Sequence, residues 1–264
     1  MNFAGLSEAW VPWSAMLLMA IAVWALSVRL RDVSIVDSLW SIFFIVFTAL
    51  FAWRMRSDAV ASYALIALVV LWGVRLSAYI TIRNHGNGED RRYQAIRARN
   101  QPNFEFKSLY LVFILQAVLA AVIVLPVVPI LNEAQAANAV TYTGFAIAVF
   151  GALFETVADA QMARFKRDRA KASSAAQDTV MDRGLWRYSR HPNYFGEATF
   201  WWGLWLASAS MGGAWTVFSP LLMTWLLTRV SGVPLLEADL RQRSQAYRDY
   251  LEKTPRFFPG RPKR

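Results

Sequence analysis

Seven long apolar runs constrain the fold of this chain more than any other feature of its sequence. A helix that crosses a bilayer needs roughly 20 mostly apolar residues, because the hydrocarbon core is about 30 Å thick. The runs that reach or approach this length are residues 10–28, 33–53, 59–82, 109–131, 140–162, 196–211 and 214–230. We therefore predict an all-α, polytopic membrane protein with seven transmembrane helices, folded as a single integral membrane domain over residues 1–264.

The charges of the connectors test this count, because Lys and Arg accumulate in the cytosolic loops of membrane proteins. No Lys or Arg precedes Arg29, and the connectors after the third, fourth, fifth and sixth runs carry six, none, eight and none. The chain from Arg229 onward carries nine. This alternation predicts an N-terminus outside the membrane and a cytosolic C-terminal tail at residues 234–264.

The composition of the chain excludes several other classes of protein. Hydrophobic residues make up 56% of the sequence, which is more than in an ordinary soluble domain. The net charge of +10 is spread over short connectors, so we expect membrane lipids rather than nucleic acid as the partner. The chain has no cysteine, which excludes disulfides, thiolate nucleophiles and Cys-based metal sites, and we predict no metal site.

Four ionisable residues stand out within the apolar runs, where charged groups are costly and usually face a cavity or a partner. They are Asp37, Arg75, Glu155 and Asp159. Asp37 and Arg75 are either functional or a structural ion pair between neighbouring helices. Glu155 and Asp159 are one helical turn apart, and they either belong to a site with cationic partners or mark the membrane interface.

The segment RYSRHPNYFGE, residues 187–197, concentrates polar side chains at the start of the sixth run. Pro192 favours the first turn of a helix, and Asn193 is predicted to cap that helix. Free N–H groups at a helix N-terminus attract anions, and the guanidinium groups of Arg187 and Arg190 suit phosphates. The other side chains able to hydrogen-bond or stack on a ligand are Tyr188, His191 and Glu197. These features predict a site for a flat, polar, anionic ligand.

The longer segment GLWRYSRHPNYFGE, residues 184–197, resembles the C-terminal signature of the steroid 5-alpha-reductase and sterol C14-reductase superfamily. The resemblance continues in LWGVRLSAYITIRNHGNGEDRRYQAIR (71–97) and in PLLEADLRQRSQAYRDYLEKTPRFFP (234–259), and it is closest to bacterial 5-alpha-reductase-like proteins. Residues 1–32 match nothing specific. The resemblance implies a protein of the bacterial inner membrane whose cofactor site faces the cytosol.

The reductases of this superfamily bind NADPH, and the resemblance implies the same cofactor here. The positions that correspond to the family's cofactor site, or lie within the segments that resemble it, are Arg83, Asn84, Asp159, Arg164, Lys166, Arg167, Tyr188, Arg190, His191, Asn193 and Glu197. The implied reaction is the reduction of an activated carbon–carbon double bond, as in an enone, in a lipid-like substrate that enters from the bilayer.

The catalytic positions depart from the family pattern. The 5-alpha-reductases carry a Gln-Glu pair in the second span, where this chain has Val36 and Asp37, and a tyrosine in the third, where it has Trp72. We predict that Asp37, desolvated and protonated, donates to the developing enolate oxygen, with Tyr79 as a second donor.

Two other classes of function remain open at the level of sequence. S-adenosylmethionine-dependent methyltransferases of the isoprenylcysteine carboxyl type carry a similar Arg-His-Pro-x-Tyr motif, although Asn193, Glu197 and Asp159 favour the reductases. A non-catalytic membrane scaffold or lipid-binding protein is the third class. The identity of the cofactor discriminates between the three.

Overall fold

A computed structural model describes residues 6–133, 135–171, 180–230 and 245–263. Every regular element within these residues is helical. The α-helices are α1 (Trp10–Leu30), α2 (Ile35–Met55), α3 (Val60–Asn84), α4 (Arg91–Arg99), α5 (Phe104–Ile123, with a π-helical turn at Leu109–Ile114), α6 (Val127–Leu131), α7 (Ala139–Ala170), α8 (Pro192–Ser208), α9 (Phe218–Trp225) and α10 (Gln245–Lys253). The chain divides into two compact units, the first of Met1–Phe145 with Leu204–Ser219 and the second of Ala146–Gly203 with Pro220–Arg264.

Five of the predicted spans are helices long and apolar enough to cross a membrane, namely α1, α2, α3, α5 and α7. The fourth differs from its predicted bounds of 109–131, because α5 begins at Phe104 and ends at Ile123. Pro126 follows within three residues, and a proline cannot donate the backbone hydrogen bond that would continue the helix. The fifth runs past residue 162 to Ala170, because its basic end continues the helix beyond the apolar run.

The sixth and seventh apolar runs form shorter helices than the other five. The helix α8 has 17 residues and passes into a π-helical turn that is broken at Met211 and Gly212, where Gly212 has φ of 89°. The last run divides into a 3-10 turn at Ala214–Val217, the helix α9 and a π-helical turn at Leu226–Val230. The described structure therefore establishes an all-helical membrane protein with five candidate spans.

The first unit is built around an aromatic face of α2. Phe43, Phe44, Phe47 and Phe51 recur at the three- and four-residue spacing of one helical face, and all four are fully buried. Serine residues join α2 to α3, since Ser41 Oγ donates to the Gly73 carbonyl at 2.7 Å. This packing fixes the first turn of α2, where Asp37 lies.

Hydrogen bonds between connectors show which helix ends lie together in the first unit. At one end, Arg54 Nε donates to Glu8 at 2.9 Å, and the Ala59 N–H donates to Glu133 at 3.3 Å. At the start of α2, the Val33 N–H donates to Glu89 at 3.0 Å. The N-terminal segment thus shares an end with the second and fourth connectors, while the third connector lies against the start of α2.

The second unit depends on a close crossing of α7 and α8. A Cβ atom at Gly151 would lie 2.5 Å from the Phe200 nitrogen, and one at Gly196 would lie 2.6 Å from the Glu155 nitrogen. Small residues allow this approach of two backbones at membrane helix crossings. The crossing brings the carboxyl-bearing turn of α7 beside the first turn of α8.

Candidate functional site

A polar cluster forms in the first unit where α4 meets the first turn of α2. The helix α4 begins at Arg91, and the Asp90 side chain caps it by accepting a hydrogen bond from the Arg92 N–H at 2.9 Å. This start places Arg92 and Tyr93 in the first turn of α4. We call the group Asp37, Asp90, Arg92, Tyr93 and Gln116 the Asp37 cluster.

Asp37 accepts hydrogen bonds on both of its carboxylate oxygens. Arg92 Nη2 donates to Oδ2 at 2.7 Å, and the Tyr93 hydroxyl donates to Oδ1 at 2.6 Å. The same guanidinium contacts Asp90, with Nε donating to Oδ1 at 3.0 Å. Gln116 of α5 donates to the Tyr93 oxygen at 3.3 Å. The cluster therefore joins two carboxylates, one guanidinium and one phenol in a single network.

Burial and charge together set the protonation of the two α4 side chains. Burial raises the pKa of Tyr93 well above its usual range, and the neighbouring Asp37 carboxylate raises it further. Burial alone would lower the pKa of Arg92, but the carboxylates of Asp37 and Asp90 raise it by more. At neutral pH the cluster thus contains a protonated phenol beside a charged guanidinium.

This geometry identifies two partners of Asp37. Its carboxylate forms an ion pair with Arg92 at 2.7 Å. Both contacts use the Asp37 oxygens as acceptors. The role of Asp37 as a proton donor to the substrate stays a prediction, and the Tyr93 hydroxyl is a second proton donor beside it.

Sequence reasoning missed the partners of Asp37 in the cluster. The signal was GEDRRY, residues 88–93, in which acids, arginines and a tyrosine follow a glycine. In the sequence, this segment belongs to a basic connector and to the stretch 71–97 that resembles the reductase superfamily. Its contact with Asp37 spans more than fifty positions of the chain, so spacing and periodicity give no sign of it.

A second ion pair holds α4 in place. Glu89 accepts from Arg97 on both oxygens, at 2.8 and 2.9 Å, and also accepts the Val33 N–H. Bidentate pairs of this kind fix geometry as well as adding energy. The Arg97 guanidinium also lies 4.8 Å from the centre of the Phe104 ring of α5. These contacts anchor the connector that carries Arg92 and Tyr93.

The remaining predicted residues of the first unit lie along the last turns of α3. Arg83 Nε donates to the Asn84 side chain at 3.0 Å, and Arg83 itself is exposed. Tyr79 lies on the same helix, between Ser77 and Thr81, which bond to Ser38 of α2 at 2.9 and 3.0 Å. The structure therefore places Tyr79 on the part of α3 that packs against the turn of α2 carrying Asp37.

In the second unit, α7 supplies buried acids followed by exposed cations. Glu155 and Asp159 are both buried within its middle third. The predicted cationic residues Arg164, Lys166 and Arg167 follow on the same helix and are exposed. Along α7, the side chains therefore change from buried acids to exposed bases. A ligand that extends from the membrane to its surface could contact both.

The first turn of α8 contains an orphaned polar atom. The helix begins at Pro192, as predicted, so Asn193 lies inside its first turn and does not cap it. The Asn193 Oδ1 atom is buried without a hydrogen-bond partner in the described structure. His191 and Glu197 are buried on either side of it in sequence, and the His191 ring stacks on Tyr194 at 5.6 Å. A buried amide oxygen without a partner is a position where a ligand can donate a hydrogen bond.

The segment that precedes α8 is held on two sides within the second unit. On the side of α7, Trp186 Nε1 donates to the Ala158 carbonyl at 3.0 Å. On the side of the C-terminal tail, Ser189 Oγ donates to the Phe257 carbonyl at 2.7 Å, and Arg190 Nη1 donates to the Leu251 carbonyl at 2.8 Å. Arg190, predicted as a phosphate ligand, thus also fixes the tail.

Comparison with known proteins agrees with the resemblance in the sequence. A family described as "Protein of unknown function (DUF1295)" matches residues 23–254. The Uncharacterized protein C594.04c of Schizosaccharomyces pombe is 25% identical, in an alignment that covers 90% of this chain and 75% of that protein. No solved structure matches the chain.

Proposed function

Because this chain belongs to the DUF1295 family, which is the steroid 5-alpha-reductase-like family, we propose that it is an NADPH-dependent membrane reductase. The substrate would be a lipid-like molecule with an activated carbon–carbon double bond. The observation that carries this proposal is the orphaned Asn193 Oδ1 at the start of α8, beside the buried Glu197. A carboxamide or hydroxyl of a bound dinucleotide can satisfy that atom.

The residues of the second unit fit NADPH in four respects. Asn193 and Glu197 offer buried acceptors, and the start of α8 is a helix N-terminus, which attracts a phosphate. Tyr188 is 44% exposed and offers a ring and a hydroxyl. The cations Arg164, Lys166 and Arg167 supply charge for a 2'-phosphate, which favours NADPH over NADH. Asp159, Arg190 and His191 complete the proposed set, and Arg83 and Asn84 stay in it on the resemblance alone.

The chemistry that NADPH supplies when bound is a hydride. The contribution of the chain is to bind, to orient and to keep water away from the reacting groups. In the first unit, Asp37 holds the Tyr93 hydroxyl in place by accepting its hydrogen bond. In the proposed step, this hydroxyl would turn from Asp37 to the developing enolate oxygen and donate its proton there, leaving a phenolate beside the Arg92 guanidinium. Arg92 balances the charge of Asp37, and Tyr79 remains the proposed second donor. In this proposal, Asp37 acts on the substrate through the Tyr93 hydroxyl that it positions.

The proposed reductase is an integral protein of a bacterial inner membrane with seven spans, an outer N-terminus and a cytosolic tail. The connector contacts of the first unit support this arrangement. The N-terminal segment meets the second and fourth connectors at one end of the helices, and the third connector meets the first at the start of α2. The sixth and seventh spans would consist of α8 and of the broken run through α9. Substrate would reach the site from the bilayer.

Asn193→Ala is expected to weaken NADPH binding by about tenfold or more, because the variant removes the acceptor that the cofactor satisfies and a tenfold loss corresponds to about 1.4 kcal/mol. Glu197→Gln should act in the same direction. The measurement is nucleotide titration of the purified, detergent-solubilised chain. Thr199→Ala is the matched control, because the Thr199 hydroxyl donates to the Phe195 carbonyl of its own helix at 2.7 Å. Unchanged affinity in both test variants would contradict the site.

Reporter fusions at the two termini are expected to place the N-terminus outside and the C-terminus in the cytosol, because the connectors with many cations must stay on the cytosolic side. A phosphatase fused to the N-terminus should be active only outside, and a fluorescent protein fused to the C-terminus should fluoresce. A cytosolic N-terminus together with a fluorescent tail would require an even number of spans and refute the proposed count.

A further inference from the structure

An open pocket of about 410 Å³ lies on the second unit, apart from the orphaned Asn193 oxygen. It is lined by Arg187, Tyr188, Arg261, Pro262 and Lys263. The first two residues belong to the turn before α8, and the last three belong to the extreme C-terminal tail. The pocket is therefore formed by two segments that lie far apart in the sequence.

Backbone hydrogen bonds shape the tail around this pocket. The Gly260 N–H donates to the Tyr188 carbonyl at 2.9 Å, which fixes the tail against the turn. The Lys263 N–H donates to the Lys253 carbonyl at 2.8 Å, which folds the tail back onto the end of α10. Pro262 has restricted backbone freedom between these two bonds. The cationic side chains on either side of Pro262 are thus presented by a fixed backbone and not by a free end.

Among the described residues, the lining of the pocket carries three positive charges and no carboxylate. Arg187, Arg261 and Lys263 are exposed, and none of them has a side-chain hydrogen bond or ion pair within the described residues. Like charges that converge on one pocket repel each other, and an anion between them removes that repulsion. The Tyr188 hydroxyl adds a neutral donor at the same place. Two guanidinium forks with an ammonium and a phenol are donors suited to the oxygens of a phosphate.

We propose that this pocket binds a phosphate group. The site goes beyond the reductase function and does not require it, although Tyr188 lines it and is also a proposed cofactor contact. The phosphate can be carried by the headgroup of an anionic lipid or by a soluble phosphate compound. Phe258, four residues before Pro262, is 71% exposed and contacts the rings of Phe195 and Phe257. An exposed phenylalanine ring beside basic residues suits the boundary between lipid headgroups and acyl chains, and it favours the lipid.

The test measures the thermal stability of the full chain in a neutral detergent, followed through its tryptophan fluorescence. The probes are dioctanoyl phosphatidylglycerol, dioctanoyl phosphatidylcholine, inorganic phosphate and NADPH. At about ten times its dissociation constant, a bound probe is expected to raise the Tm by about 3–6 °C. The shift should shrink as salt is added, because the contacts are ionic. Phosphatidylcholine, which has no net charge, should give the smallest shift.

The double variant R261Q/K263Q should lose the shift, and Arg187→Gln should weaken it independently. The matched control is K253Q/R256Q, which removes two exposed cations of the same tail that do not line the pocket. A Tm shift from phosphatidylglycerol that is lost in R261Q/K263Q and kept in K253Q/R256Q supports a lipid headgroup. A Tm shift from inorganic phosphate alone supports a soluble phosphate compound. A shift lost equally in both double variants, or no shift with any probe, overturns the site. A shift from NADPH that survives R261Q/K263Q but is lost in Asn193→Ala belongs to the reductase site and leaves the pocket without support.

Discussion

Tyr93→Phe is expected to lower the turnover of the proposed reductase by about 100-fold or more, which is the scale on which the loss of a positioned acid acts. The variant keeps the ring and removes only the hydroxyl that donates to Asp37 and accepts from Gln116. NADPH affinity should stay unchanged, because the proposed binding residues of the second unit are untouched. Turnover with a conjugated lipid ketone, nucleotide binding and thermal stability should be measured on one preparation.

Tyr110→Phe is the matched control for this change. Tyr110 lies on α5 in the same unit and is 55% exposed, so the loss of its hydroxyl should have little effect. A Tyr93→Phe variant that turns over normally would refute the catalytic role. If Asp37→Asn instead unfolds the chain and the paired change with Arg92→Gln restores it, the Asp37 cluster is structural. Arg92 is the partner chosen for this test, because its guanidinium contacts the Asp37 carboxylate.

Gly196→Ala is expected to destabilise the chain by about 3 kcal/mol or more, at the upper end of the cost of overpacking. The added Cβ would lie 2.6 Å from the Glu155 nitrogen and 2.7 Å from the Gly151 carbonyl oxygen. Backbone atoms cannot move aside singly, so α7 and α8 must separate along their crossing. NADPH binding should be lost in the same variant, because Asn193 and Glu197 are carried by the displaced turn.

Thermal unfolding in detergent measures this effect, with an expected fall in Tm of about 6–12 °C for a chain of this size. Gly260→Ala is the control in the same unit, because the nearest atom to its added Cβ lies at an ordinary 3.5 Å. A Gly196→Ala chain as stable as the control would show that the two helices pack less closely than the structure indicates.

Several elements could be predicted from the sequence because their causes are local. A run of about 20 apolar residues forms a helix in a bilayer regardless of its neighbours, since unsatisfied backbone groups cannot remain in hydrocarbon. The first three spans and the fifth follow from this rule, and the start of α8 at Pro192 follows from the fixed φ of proline. The fourth span was misplaced, because its apolar run continues past Pro126 although its helix does not.

The site was only partly predictable, because the sequence identifies polar residues such as Asn193 and Asp37 but not their partners. The sequence identified both residues as candidates for a functional site, because polar groups near or within apolar runs are costly and usually have a partner or a function. The expected cap by Asn193 failed because the helix had already begun at Pro192, which left its amide oxygen buried without a partner. Its predicted place in a ligand site rests on the same segment and stays a prediction.

By itself, then, the sequence determined the helical membrane class, the positions of four of the five candidate spans and the segment that carries the family resemblance. Only the tertiary structure decided that Asp37 pairs with Arg92 and Tyr93, that Gly151 meets Gly196, and that the tail closes on Tyr188. The physical reason is the range of the interactions. The hydrophobic periodicity and the fixed φ of proline act within a few residues. Ion pairs, helix crossings and the contacts of the C-terminal tail join residues that are far apart in the sequence and meet only in the folded chain.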